Sequence, residues 1–294
     1  MIRWAMLLAS VLMLASCGGS GQKNIVDNPY AERMKELSRN GVVAMQRERW
    51  LPAQNLFDRA LQAAQLANDP VLIAQAWYNL GSLHLSSGSD DKGEAALRQA
   101  AEVAGEHRLE VILLRTQIAL ALIDQKRGIN NSWKPDTISA SMPLDIHLSF
   151  ARLAQLQGRY EVSLRAYDFV LNRRDTDRTS LLYKINAHMG IALVAEQQKK
   201  YTDALQEVEK VLALSREVGA PRLAAHALML KAKLVESDSA QEDSLEDALA
   251  IYQVLEDRRG QKNALIQLIP IEERQGNVSQ VEVMRLQLQA LEKD

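Results

Sequence analysis

The side chains able to do chemistry are few in this sequence and widely spread. Among 294 residues there are five histidines and one cysteine. Histidine is the commonest catalytic and metal-binding side chain, so the register of His147, His188 and His226 matters. His147 and His188 precede the small residues Ser163 and Ala204 by 16 positions, as Trp77 precedes Gly93, and His226 precedes Ala248 by 22. That equivalence predicts core-facing positions on successive helices. Neighbouring helices pack about 8–10 Å apart, whereas Zn–N bonds need about 2.0–2.1 Å. Convergence of the three rings on one ion would demand distortion, so structural roles are expected, with pH sensing as the sharper alternative. Adjacent carboxylates such as Asp90-Asp91 and Glu272-Glu273 fall at expected helix ends or surfaces without a partnering group. No Gly-x-Ser-x-Gly elbow, Walker loop, Gly-x-Gly-x-x-Gly turn or His-Glu-x-x-His helix is present. A lone cysteine excludes an intrachain disulfide framework and a Cys-cluster metal site. The expectation is a protein without catalytic activity, cofactor or metal.

The elements that carry these residues are helices. Hydrophobic residues make up 47% of the chain and aromatics only 5%, with 14 Gly and 7 Pro. That composition favours helix over sheet, which draws on β-branched and aromatic residues. The formal net charge of −2 argues against a nucleic-acid partner. Self-similarity then organises the chain. Trp50, Ala53, Phe57 and Ala60 recur in type as Gly93, Leu97 and Ala100, as Tyr160, Ser163, Tyr167 and Val170, and as Tyr201, Ala204, Val208 and Val211. Offsets of three, four and three place each set on one helical face. The small slots Ala53, Gly93, Ser163, Ala204, Ala248 and Val281 follow one another at a pitch nearer 40 than 34.

This pattern resembles the second helix of a tetratricopeptide repeat, and Trp77-Tyr78-Asn79-Leu80-Gly81 resembles the first. The resemblance implies an all-α fold: an α-solenoid of about six to seven helix pairs, wound into a right-handed superhelix over residues 29–294. Two interruptions are expected. After a first helix near Leu109 to Lys126, the third unit reads as a loop at about 128–143, rich in Gly, Asn, Ser and Pro. Its Asn130-Asn131-Ser132 fits a glycosylation sequon. The second, Ser237 to Ser244, adds polar and acidic residues before the helix holding Ala248. The acidic stretch Glu236 to Asp247 reads as a solvated loop, with a surface for a basic partner as the sharper alternative.

The N-terminus has a different character. Arg3 precedes an apolar run from Ala5 to Leu14, followed by Ala15-Ser16-Cys17. That run is too short for a transmembrane helix, which needs roughly 20 residues, and it has the layout of a signal peptide. Leu14-Ala15-Ser16-Cys17 resembles the lipobox of bacterial lipoproteins. The resemblance implies removal of residues 1–16 and acylation of Cys17, which would anchor the chain in a lipid bilayer. Gly18 rather than Asp after the cysteine implies, by likeness to sorted enterobacterial lipoproteins, the outer membrane and a periplasm-facing body. Residues 17–28 form a flexible linker with a coil reach of about 18 Å, ending at Asn28 as helix N-cap before Pro29.

In tetratricopeptide families the first helices line a concave groove. Carried over residue by residue, the groove positions include Lys35, Ser38 and Val42, then Gln75, Tyr78, Ser82 and Leu85. Leu148, Arg152 and Gln155 follow, then Asn186, Met189, Leu193 and Glu196, and finally Ala227, Lys231 and Leu234. Ser38 and Val42 stand where chaperone-binding members hold a carboxylate clamp, so that clamp is absent. The remaining surface is mixed and partly apolar, suited to an amphipathic helix or extended segment, although the same residues could instead pack against neighbouring helices. Trp133, on the irregular loop, is a separate candidate contact or a plug for the missing helix. The implied partner is another cell-envelope protein or peptide segment. A ligand-responsive regulator of peptides or wall fragments is the alternative.

Overall fold

The computed structural model describes residues 28–129 and 133–292, and among these the protein is a helical solenoid. In chain order the helices are α1 (Pro29–Gln46), α2 (Trp50–Ala67), α3 (Pro70–Ser86), α4 (Asp90–Glu106), α5 (Glu110–Lys126), α6 (Leu144–Leu156) and α7 (Tyr160–Leu171). They continue as α8 (Arg178–Gln197), α9 (Tyr201–Glu217), α10 (Pro221–Leu234), α11 (Asp238–Val254), α12 (Arg258–Gln275) and α13 (Val278–Glu292). Residues 1–27, with Cys17 and the apolar run, and residues 130–132 lie outside the described residues. Among the described residues no helix is long and apolar enough to cross a membrane.

Local chemistry sets the helix ends. The Asn28 side chain accepts from the Tyr30 N–H at 3.0 Å, and Pro29 occupies the first turn. Asp69 and Asp177 cap α3 and α8 in the same way. At the C-terminal ends of α1, α3 and α6 a residue in the left-handed region (Glu48, Gly88 and Gly158) reverses the chain. The residue after it donates its N–H to the carbonyl five positions back, as from Arg49 to Ala44, Ser89 to His84 and Arg159 to Ala154. This is the Schellman closure, and its repetition gives successive turns one geometry.

Helices pack in antiparallel pairs along the chain, α1 on α2, α3 on α4, α6 on α7, α8 on α9 and α10 on α11. The small slots are the contact points: Ala53, Ser163, Ala204 and Ala248 are wholly buried, and Gly93 and Val281 are buried too. An atom added to Gly93 would lie 3.2 Å from the carbonyl oxygen of Gly81, so α3 and α4 touch backbone to backbone. The bulky slots fill the adjacent space, with Phe57, Leu97 and Val170 buried. The apolar interior is divided into clusters shared between neighbouring units, as expected where each repeat buries its face only on the next.

The third unit has no second helix among its described residues. α5 packs directly on α6, and the segment 133–143 runs irregularly beside them. Trp133, Ile138 and Met142 from this segment pack, half-buried, on the cluster around Phe150 and Tyr167. An inner layer of α1, α3, α5, α6, α8, α10 and α12 therefore continues past the gap, while the outer layer skips one position.

The acidic stretch departs from expectation. It is helix, not loop: α11 begins at Asp238 and runs unbroken to Val254. Asp238, Glu242 and Glu246 recur every fourth residue and share a face. Arg274 of α12 donates to Asp238 at 2.7 and 3.1 Å, and Gln275 donates to Glu242 at 2.6 Å. An aspartate in the first turn also suits the helix dipole. Glu272 is a second departure, since it is not at the surface but 1% exposed. It accepts from Asn277 at 2.7 Å, and its carboxylate lies within 4.8 Å of those of Glu242 and Glu246. Burial, and then the neighbouring carboxylates, push the Glu246 carboxyl above its ordinary value.

Candidate recognition groove

A cavity of about 770 Å³ lies on the inner layer, between α6, α8, α10 and α12. Its volume is in the upper part of the range for small-molecule and cofactor sites, about 300–1,000 Å³. Three of the expected groove residues meet there: Arg152 from α6, with Met189 and Leu193 from α8. Met189 and Leu193 are half-buried, one side on the core around Val208 and the other on the cavity. Arg222, His226, Met229 and Lys233 of α10 form the next wall, and Arg259, Asn263 and Ile266 of α12 the far one.

Glu48, from the turn between α1 and α2, lines the same cavity. The Arg222 Nη1 donates to the backbone carbonyl of Gln46, 176 positions away, at 3.5 Å. The solenoid thus curls far enough for its first turn to meet its tenth helix. Positive charge collects on this surface: Arg152, Arg222, Lys233 and Arg259 face two carboxylates, Glu48 and Asp257. Asp257 is buried and committed, accepting from the Gly260 N–H at 2.9 Å and pairing with Arg222 Nε at 3.4 Å. Tyr252 closes the floor. Burial, reinforced by Asp257, pushes its phenol up to about 12. Desolvation by the surrounding walls lowers the His226 imidazole, with Asp257 acting against the shift.

The other expected residues lie elsewhere. Tyr78 sits further along the inner layer, half-buried, hydrogen-bonded to Ser82 and 5.7 Å beneath the Arg115 guanidinium. Arg115 also pairs with Asp145 at 2.7 Å, joining the lone α5 to α6. Leu85 is turned from the groove into the α3–α4 contact, where it covers Gly93. Leu148 packs on the cluster around Phe150. Lys231 is held by Glu209 of α9 at 2.7 Å. Trp133 takes the gap-filling position described above.

The histidines divide. His147 is buried, as its register requires, with its ring stacked on Phe169 at 4.1 Å. His188 is half-buried and bonds Glu207 at 2.6 Å. Burial acts to raise the Glu207 carboxyl, but bonds from Lys210 and His188 outweigh it and hold it below its ordinary value. His226 is not a core residue: it opens onto the cavity, 6.0 Å from the Tyr252 ring. The sequence reading missed Arg222, Lys233, Arg259 and Glu48. The first three lie on inner helices in reach of pattern reasoning, because α10 and α12 carry basic residues between their apolar positions. Glu48 had no such signal, since it arrives by curvature accumulated over the whole chain.

Comparison with known proteins agrees with this architecture. Residues 74–107, spanning α3 and α4, match the tetratricopeptide repeat family. Comparison with curated protein sequences gives no significant match. Among solved structures, the apo form of the quorum sensor NprR from B. thuringiensis is similar, with a TM-score of 0.62 at 12% identity, covering 90% of this chain and 77% of that one. The apo form of RapI is also similar, with a TM-score of 0.52 at 11% identity, covering 88% and 76%. At these identities the likeness is one of fold. The chain is a repeat protein with a tetratricopeptide-type helical solenoid, one unit of which matches the family by sequence.

Proposed function

We propose that this protein is a lipid-anchored recognition scaffold without catalysis of its own. It is held to the outer membrane through an acylated Cys17, faces the periplasm, and binds an extended segment of another envelope protein in its concave cavity. The observation that carries the reading is the cavity itself. Four inner helices and the first turn converge on it, with aliphatic walls at Met189, Leu193 and Ile266 and polar groups spaced between them. Such a surface takes a peptide segment by its side chains. The anchor rests on the sequence from Leu14 to Cys17, since two or three acyl chains hold a protein where one does so only marginally.

The Arg222–Gln46 contact favours a second reading, in which the bound segment regulates. A ligand between α10 and the first turn changes their separation in proportion to its preference for one spacing, and a scattering radius that shifts on binding reports it.

The test is photo-crosslinking in cells. A photoreactive residue at Ile266, 54% exposed within the cavity, is compared with one at Leu51, 78% exposed on α2. A discrete adduct with one envelope protein is expected from position 266 and not from 51. Equal labelling from both positions rejects the groove. In the same cells Cys17→Ser is expected to move the protein from the membrane to the soluble fraction, and retention on the membrane rejects the anchor.

A further inference from the structure

The cavity's charge specifies its occupant more narrowly than the fold does. The chain as a whole is slightly acidic, 37 acidic against 35 basic residues, yet this concave surface carries four cations against two carboxylates. Several basic side chains elsewhere are paired across helices or turns. Lys126 pairs with Asp90, Arg127 with Asp91 and Glu94, Arg159 with Asp136, and Arg285 with Glu273. In the cavity Arg222 is engaged by Asp257 and Gln46. Arg152, Lys233 and Arg259 make no ion pair among the described residues and are exposed to the cavity space. Glu48, on the opposite wall, is likewise unpaired there and leaves the balance positive.

We infer that the cavity takes an acidic extended peptide, whose Asp or Glu side chains meet Arg152, Lys233 and Arg259 while an aliphatic side chain rests on Met189, Leu193 and Ile266. The inference rests on the reading of the cavity as a peptide site and adds the chemistry of the peptide. Side-chain carboxylates are specified rather than a chain terminus because the three cations sit on three different helices, α6, α10 and α12. One terminal carboxylate does not span them. Adjacent inner helices lie about 8–10 Å apart and an extended chain rises about 3.3 Å per residue. Carboxylates about three residues apart along the peptide therefore match Lys233 and Arg259 on α10 and α12. Arg152 on α6, with α8 between, lies about twice as far and meets a carboxylate toward the other end of the peptide.

The experiment selects from a phage-displayed library of random eight-residue peptides, joined through a Gly-Ser linker so that no C-terminal carboxylate is presented. The target is the immobilised full chain. Selection is run in parallel against Arg152→Gln/Lys233→Gln/Arg259→Gln and against Ile266→Trp, each first shown to melt as the native protein does. The expected result is a pool rich in Asp and Glu, with one acidic pair about three residues apart, absent from the triple variant. Recovered peptides should bind that variant about tenfold more weakly. An acidic pool that survives in the triple variant overturns the inference. A neutral or basic pool that is lost in Ile266→Trp overturns the acidic assignment and leaves the peptide site standing. A pool indifferent to Ile266→Trp removes both.

Discussion

His147 carries an imidazole into the interior with Nε2 unpartnered, 4% exposed and stacked on Phe169. Burial lowers its pKa below the ordinary 6.5, and a hydrogen bond with the Ser139 backbone only partly opposes this. The unfolded chain therefore takes up the proton at higher pH than the native one. The stability is fully present above about 6.5 and is lost as pH falls from there toward the lowered native value. Denaturant midpoints at pH 7.5 and pH 5 should differ for the native protein and differ less for His147→Phe, which keeps the stack. An equal difference in both proteins excludes His147 as a source of acid sensitivity. The buried position of His147 was legible, because the repeat register assigns a helix face. The cavity position of His226 was not, because the same register says nothing about how far neighbouring units fan apart on the concave side.

The element scale is governed by how closely helices approach. At Gly190 of α8 an added Cβ would stand 2.1 Å from the Tyr167 ring of α7, inside any allowed contact. Tyr167 is itself buried, so it has nowhere to move. Gly105, near the end of α4, has no atom within 4 Å of its Cβ position. Gly190→Ala should therefore destabilise by about 1–3 kcal/mol through overpacking. Gly105→Ala should be neutral or stabilise by up to about 1 kcal/mol through helix propensity. Thermal melts decide it, and a stabilising Gly190→Ala rejects the close approach. The small slots that permit these contacts were readable from offsets of three and four. The acidic N-terminal half of α11 was misread because composition outweighed period: Asp238, Glu242 and Glu246 carry the helical spacing with charged rather than apolar residues. The missing second helix of the third unit was readable from its Gly, Asn and Pro. That Trp133, Ile138 and Met142 pack against the core in its place was not, since isolated apolar residues in a loop show no period.

Across the whole molecule, most contacts join neighbours in the chain and the core is a series of clusters. Protection against hydrogen exchange should therefore vary by unit rather than report one global opening. α13 packs only on α12 among its substantial contacts and leaves Val278, Val283 and Leu286 exposed. Exchange measured by mass spectrometry should be fastest in α13 and slowest in α3, α4, α8 and α9, and a single rate for all helices would contradict the nearest-neighbour picture. The exception to locality is the meeting of Arg222 with Gln46, which no repeat pattern announces because it sums small rotations over nine helices. That contact reaches across the cavity mouth as a single exposed hydrogen bond. A segment that enters between α10 and the first turn competes with that bond, so its arrival and the parting of the two ends are one event.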